Sequence, residues 1–275
     1  KDLRKMKTWK KITAVMMTLA MVLGFAACGN NNAGTADGDT DSDLAYVQDK
    51  GEMVIGYTLY EPMNYEDENG KLTGFDTEFA EAVCEKLGVT PKFVVIDWDN
   101  KFMELEAKSI DCIWNGMTIT DEVKLNTNVT KPYVKNAQVV VMKKADGVEG
   151  YNTVELLKGL KFAAEAGSAG EAAIKDLGLD EDYVGVSAQT DAMLEVMSGS
   201  VDACVVDITL AKAMTGEGSS YKDLTTTMEL TSEEYGIGFR KDSDITEKVN
   251  GIIDEMMQDG TLDKLAEKYE LTLDK

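Results

Sequence analysis

The chain has 275 residues, with 28 Lys plus Arg against 50 Asp plus Glu and no histidine. A formal charge of −22 repels nucleic-acid phosphates, and the lack of an imidazole removes every mechanism built on a histidine base or ligand. The length allows one large or two modest domains with real cores, and a 44% hydrophobic content marks a globular chain.

The first segment reads as an export signal. KMKTWKK is basic, ITAVMMTLAMVLGFAA is apolar without interruption, and small residues lead to Cys28; the run is short for a membrane span. Position 1 is Lys, so the natural start is expected at Met6. FAAC resembles a lipobox, whose cysteine carries the lipid of the mature protein, with Phe25 where such boxes more often have Leu. The Gly-, Asn- and Asp-rich stretch that follows reads as a flexible tether reaching roughly 20 Å. A signal peptide at 1–27 and a lipidated tether at 28–43 are therefore expected, on a body held outside the cytoplasm at the cell membrane.

From Leu44 onward, β-rich runs alternate with amphipathic helical stretches. EMVIGY and KFVVID read as strands flanking FDTEFAEAVCEKLG, which puts Phe79, Val83, Cys84 and Leu87 on one face, with Asp76 as cap and Gly88 as stop. SIDCIW, NAQVVVM, LKFAAE, DYVGVS, VDACVVD and YGIGFR continue as strands, separated by helices such as AMLEVMSG and ITEKVNGIIDEMMQDG. Strand then helix, repeated, predicts an α/β architecture with mostly parallel sheets. Residues 44–137 and 138–232 form two units, and 233–275 is expected to return to the first, so that the chain crosses twice between lobes. Loops and helix starts then gather at the carboxyl ends of the strands, where such sheets bind ligands. Cys84, Cys112 and Cys204 sit among apolar neighbours and are expected as buried free thiols. No metal or cofactor is expected.

Three stretches could carry chemistry. In AEAGSAGEAA, Ser168 can cap a helix and Glu171 can complete a capping box, while Gly167 and Gly170 allow a tight turn and close approach. The unpaired N–H groups of that helix start would stabilise an anion, although a cap without a ligand explains the stretch equally well. In IDCIWNGMTIT, Asn115, Gly116 and Thr118 offer an amide, a carbonyl and a hydroxyl suited to an ammonium or amide, against ordinary turn chemistry. VDACVVDITLA delivers Asp207 to a strand end, either as an N-cap or as a carboxylate awaiting a cation. Aromatic residues gather near the predicted strand ends; Trp98 and Tyr60 are assigned to the cleft, and Tyr57 is a third candidate.

Together, KGEMVIGY, EPMNYEDENGKLTGFDTEFAEAVCEKLG, IDWDNKFMELEAKSIDCIWNGMTIT, KPYVKNAQVVVMKK, LKGLKFAAEAGSAGE, VDACVVD, EYGIGFRKD and DGTLDKLAEKY resemble, in this order, the amino-acid-binding receptors of ABC importers, family 3 of the bacterial solute-binding proteins. The resemblance spans roughly residues 50–270. It implies an α/β, two-lobed periplasmic-binding-protein-like fold of type II. It also implies a monomer that closes on a polar amino acid or amino-acid-like amine and hands it to a membrane permease, without catalysis. By the same resemblance, Tyr60 and Trp98 wall the ligand side chain, and Asn115, Gly116 and Thr118 receive the α-amino group. Asp207 pairs with that group from the second lobe, and Ser168 with Gly167, Ala169 and Gly170 holds the α-carboxylate. Two departures stand out: Val123 occupies the place of an arginine that grips the carboxylate, and Ala169 replaces a hydroxyl residue. The only arginines are Arg4, lost with the signal, and Arg240, expected at the surface. The carboxylate would therefore rest on the start of the helix at 167–170, with Lys124 beside it. Three alternatives remain open: a ligand without a carboxylate, a dehydratase of prephenate-like or arogenate-like substrates using Glu165 or Glu61 as its acid, and a sensor or adhesin ectodomain.

Overall fold

The computed structural model describes residues 42–275. The signal segment 1–27, Cys28 and all but the end of the 28–43 tether lie outside the described residues. In chain order the elements begin with α1 (Asp43–Lys50), β1 (Glu52–Tyr57), a hairpin of β2 (Tyr65–Glu66) and β3 (Leu72–Thr73), α2 (Phe75–Leu87) and β4 (Thr90–Val95). A 3-10 turn at Trp98–Asn100 leads to α3 (Lys101–Glu106), β5 (Cys112–Thr118), α4 (Asp121–Asn126), β6 (Asn128–Val129), β7 (Val134–Asn136) and β8 (Gln138–Lys143). Next come α5 (Val154–Leu157), β9 (Phe162–Glu165), α6 (Ala169–Asp176), β10 (Tyr183–Val186), α7 (Gln189–Ser198) and β11 (Ala203–Asp207). The chain closes with α8 (Ile208–Thr215), β12 (Leu224–Glu229), β13 (Glu233–Phe239), α9 (Ile245–Gln258) and α10 (Thr261–Lys268).

These strands form two main sheets. One has the order β4-β1-β5-β13-β6, with β7 also on β13; the other has the order β10-β9-β11-β8-β12. The parallel expectation needs a correction. β1 runs parallel to β4 and β5, and β9 to β10 and β11, but β8 is antiparallel to β11 and β13 antiparallel to β5. The cause is the crossing itself. Only Ala137 separates β7 from β8, and only residues 230–232 separate β12 from β13. A strand entered directly from the other lobe starts at the cleft, where the parallel strands end, and so must run back against them.

The inner strands β1 and β11 are buried on both faces, which is why they read as near-continuous apolar runs rather than alternating ones, while the edge strands β4, β10 and β12 are partly exposed. In the first lobe Phe79 packs edge-on against Trp114, with ring centroids 5.1 Å apart. Cys84, Cys112 and Cys204 are buried and unpaired.

Helix α2 begins earlier than the sequence suggests. Gly74, at φ 123°, is its N-cap, and a Cβ there would lie 2.2 Å from the Met63 carbonyl oxygen, so only glycine fits. Asp76 is thus inside the first turn and faces the core, where it accepts from the Gly116 N–H and the Tyr133 hydroxyl. Arg240 also departs from expectation. It is buried, donating to Asp43 Oδ2 at 2.9 Å, Asp111 Oδ1 at 3.2 Å and the Ile110 carbonyl at 2.8 Å. The two carboxylates come from α1 and the lead into β5, so the guanidinium fastens α1 to the end of β13.

Candidate functional site

A cavity of about 330 Å³ opens where the carboxyl ends of the strands meet. The first lobe contributes Trp98, Lys101, Asn115, Gly116, Met117 and Thr118; the second contributes Glu165, Gly167, Ser168, Ala169, Gln189 and Asp207. Of the residues expected there, Tyr57, Tyr60 and Gly170 do not line it.

Asp207 ends β11 one residue before α8 begins, yet its side chain makes no capping bond. Instead Oδ1 accepts from the Gln138 amide at 2.8 Å and from the Asn136 amide, while Oδ2 accepts from the Gln189 amide. Burial, followed by repulsion from Glu233, pushes its pKa up to about 7. Glu233 in turn accepts from Asn136 and Gln138 on one crossing and from Thr231 on the other. One carboxylate therefore ties together the two segments that join the lobes.

The capping box expected in AEAGSAGEAA forms with a shift of one residue: Ser168 Oγ accepts the Glu171 N–H at 3.1 Å, but Glu171 Oε2 accepts the Gly167 N–H at 2.9 Å, the Ser168 N–H being given to Glu165 O. This uses the Gly167 donor. The N–H groups of Ala169 and Gly170 lie in the first turn and have no partner inside the helix. Gly170 is pressed on β11, where a Cβ would come 2.8 Å from the Val205 carbonyl oxygen.

Asn115 has no side-chain capacity left for a ligand. Its Oδ1 accepts from the Thr58 N–H and hydroxyl, and its Nδ2 donates to Thr58 O and Asn64 Oδ1. The Gly116 N–H is given to Asp76, and the Thr118 hydroxyl donates to Glu233 at 2.9 Å. These residues border the cavity through strand β5 while their polar groups lock its walls. Tyr60 is buried, with its hydroxyl bonded to those of Tyr235 and, across the lobes, Thr209. Tyr57 stands edge-on to Phe93, with ring centroids 6.1 Å apart.

Among the lining residues that the sequence did not assign to a binding role, Lys101, Glu165 and Gln189 carry the chemistry. Lys101 is only 4% exposed; its Nζ donates to Trp98 O at 3.2 Å and, across the cleft, to Gly167 O at 2.8 Å. Burial lowers its pKa, against the pull of the carboxylates around it. Lys124, expected beside the carboxylate site, is exposed and 4.0 Å from Asp121. Glu165 ends an apolar strand just as Asp207 does, and burial pushes its pKa up to about 8. That shared strand-end position was the available signal. Gln189 starts α7 and both donates to and accepts from Asp207. Glu61 lies in a separate depression with Tyr65 and Tyr269. Val123 is buried against the cavity wall and offers no cation.

Two α/β lobes joined by paired crossings, with a polar cavity at the strand ends, define a solute-binding protein of the type II periplasmic kind. The chain belongs to the bacterial extracellular solute-binding proteins, family 3, whose model matches residues 53–272. It is 32% identical over 270 residues to the probable amino-acid-binding protein YxeM of Bacillus subtilis, covering 96% of each chain. The crystal structure of the P235GK mutant of ArgBP from T. maritima matches with a TM-score of 0.77 at 33% identity, over 82% of this chain and 98% of that one. The ancestral amino acid-binding protein AncCDT-1, a precursor of cyclohexadienyl dehydratase, matches with a TM-score of 0.76 at 31% identity, over 83% of this chain and 99% of that one.

Proposed function

We propose that the protein is the extracytoplasmic substrate-binding lipoprotein of an ABC importer, anchored through lipid on Cys28. Lobe 1 (44–137 and 233–275) and lobe 2 (138–232) close on a polar amino acid or amino-acid-like amine, which a membrane permease then receives. The observation that carries this reading is the pairing of opposite charges in one cavity: the Asp207 carboxylate together with the Lys101 ammonium and the free first-turn N–H groups of α6. A free amino acid is a zwitterion and needs both. Its α-ammonium belongs against Asp207. Its α-carboxylate belongs at Ser168 and Ala169, with Lys101 supplying the cation that Val123 cannot; Gly170, expected there as well, packs on β11 instead. Trp98 forms an apolar wall.

Titration calorimetry with free amino acids and their carboxamides tests the assignment. The amides should bind at least about tenfold more weakly, because a charge-assisted contact is lost in a closed cleft. Equal affinity would instead favour an amine without a carboxylate. A dehydratase reading is favoured by one observation, the protonatable Glu165 in the cavity. Incubation with arogenate should yield no phenylalanine; its appearance would establish catalysis.

A further inference from the structure

Among the described residues, four buried side-chain polar atoms have no hydrogen-bond partner: Trp114 Nε1, Asn136 Oδ1, Glu165 Oε1 and Ser243 Oγ. Buried polar groups almost always find partners, so each exception asks what is missing. Of these four residues, Glu165 alone lines the cavity, and it is 3% exposed. Protonated, the carboxyl offers one O–H of its own; ionised, it only accepts, so a ligand that ionises Glu165 must bring a donor to Oε1.

The surroundings say which sign that donor carries. The cavity lining includes five carboxylates, Asp121, Glu122, Glu165, Asp176 and Asp207, against one ammonium, that of Lys101. Lys101 donates to two backbone carbonyls and, among the described residues, forms no ion pair. Glu165 and Asp207 close the adjacent parallel strands β9 and β11, so two carboxylates stand at one rim of the second lobe. Asp207 has three amide donors of its own; Glu165 Oε1 has none.

We propose that Glu165 sets the specificity of the cavity and that the ligand is an amino acid carrying a second cation, a primary amine or guanidinium, at the end of its side chain. The proposal rests on the amino-acid-binding reading above. The α-ammonium meets Asp207 and the distal cation meets Glu165. Burial is the main influence on Glu165, opposed by the nearby Thr58 hydroxyl, which itself donates to Asn115; of the charged groups, Asp207 at the end of β11 and Asp191 on α7 raise its proton affinity and Lys101 on α3 lowers it. The carboxyl is pushed up to about 8, so in the free protein at pH 7 it is largely protonated. To pair with a cation it must ionise, and that proton passes to the buffer.

Titration calorimetry of the full chain at pH 7, repeated in phosphate and in Tris, reads both affinity and proton release. The probes are arginine and its neutral isostere citrulline, and lysine with norleucine. Arginine or lysine should bind at least about tenfold tighter than its neutral partner. It should also release up to about one more proton per ligand. Asp207, at about 7, contributes equally to both members of a pair, so the difference isolates Glu165. Glu165→Gln, checked for an unchanged melting profile, should erase both the affinity ratio and the extra proton. If that variant fails to fold, the wild type still decides: the ratio of arginine to citrulline affinity should rise from pH 6 to pH 8. Neutral amino acids binding as tightly as the cationic ones overturns this inference and leaves the amino-acid reading intact. A preference that survives Glu165→Gln, or a ratio flat with pH, also overturns it alone. No binding of any free amino acid overturns both.

Discussion

The Arg240 guanidinium divides its donors between Asp43 and Asp111 and hands a third to a backbone carbonyl, and Lys50 reaches Asp111 from the other side at 2.5 Å. A surface ion pair contributes almost nothing to stability, but truncating one member of a buried set leaves the others charged and unpaired. Arg240→Ala should therefore cost about 3–5 kcal/mol, read as a lower urea midpoint with an unchanged m-value. Arg240→Lys should recover only a fraction, since a single ammonium cannot span both carboxylates and the carbonyl. The sequence showed that arginine was scarce but not where its partners were, because Asp43 and Asp111 are 197 and 129 residues away. Glu165 is the complementary case: its position at a strand end was legible, and its lack of a partner was not.

At the level of elements, local grammar was read well where the partner lies within a turn. The capping box of α6, shifted by one residue, and the left-handed glycine that stops α2 at Gly88 are both present. Ser168→Ala should cost about 1 kcal/mol of stability, measurable by denaturant titration, and should weaken ligand binding by withdrawing the hydroxyl beside the free N–H groups. Glu171→Ala should destabilise less and release the Gly167 N–H toward the cavity. Elements defined by long-range pairing were harder to see. Strand β12 reads LTTTME, polar and without clean alternation, and forms because it lies at the sheet's edge against β8. The start of α2 was misplaced because Asp76 is a typical capping residue; it is diverted inward by Gly116 of β5 and by Tyr133, the residue before β7, both distant in sequence.

For the whole molecule, direct contacts bridge the two lobes across the cleft. Lys101 donates across the cleft to Gly167 O at 2.8 Å, and a Cβ on Gly167, at φ +70°, would lie 2.8 Å from the Asp99 Cα. Gly167→Ala should obstruct closure: affinity should fall at least about tenfold, and ligand should no longer reduce the radius of gyration in small-angle scattering. Protonation acts on the same scale. Burial pushes Asp76 and Asp207 to about 7 and Glu165 to about 8. The folded protein thus keeps protons that the unfolded chain gives up near pH 4. Each group's contribution is complete below pH 4 and is lost as pH rises to 7 or 8, at a slope of about 1.4 kcal/mol per pH unit. Unfolding free energy of the ligand-free protein should accordingly decline between pH 5 and pH 8 and then level off. Asp76→Asn should make that decline shallower; a flat profile in the wild type would show that these acids are ionised throughout.

The sequence by itself determined the α/β class, the apolar strands, the Ser168 cap, the Gly88 stop and the charged strand ends, because periodicity and local capping depend on residues a few positions apart. Tertiary structure alone decided that Asn115 and Tyr60 spend their polar groups on the scaffold, that Arg240 is interior, and that Lys101 and Glu165 face the cavity. Burial and hydrogen-bond satisfaction are properties of what lies across the fold, and the two direct crossings between lobes bring distant stretches of chain into contact.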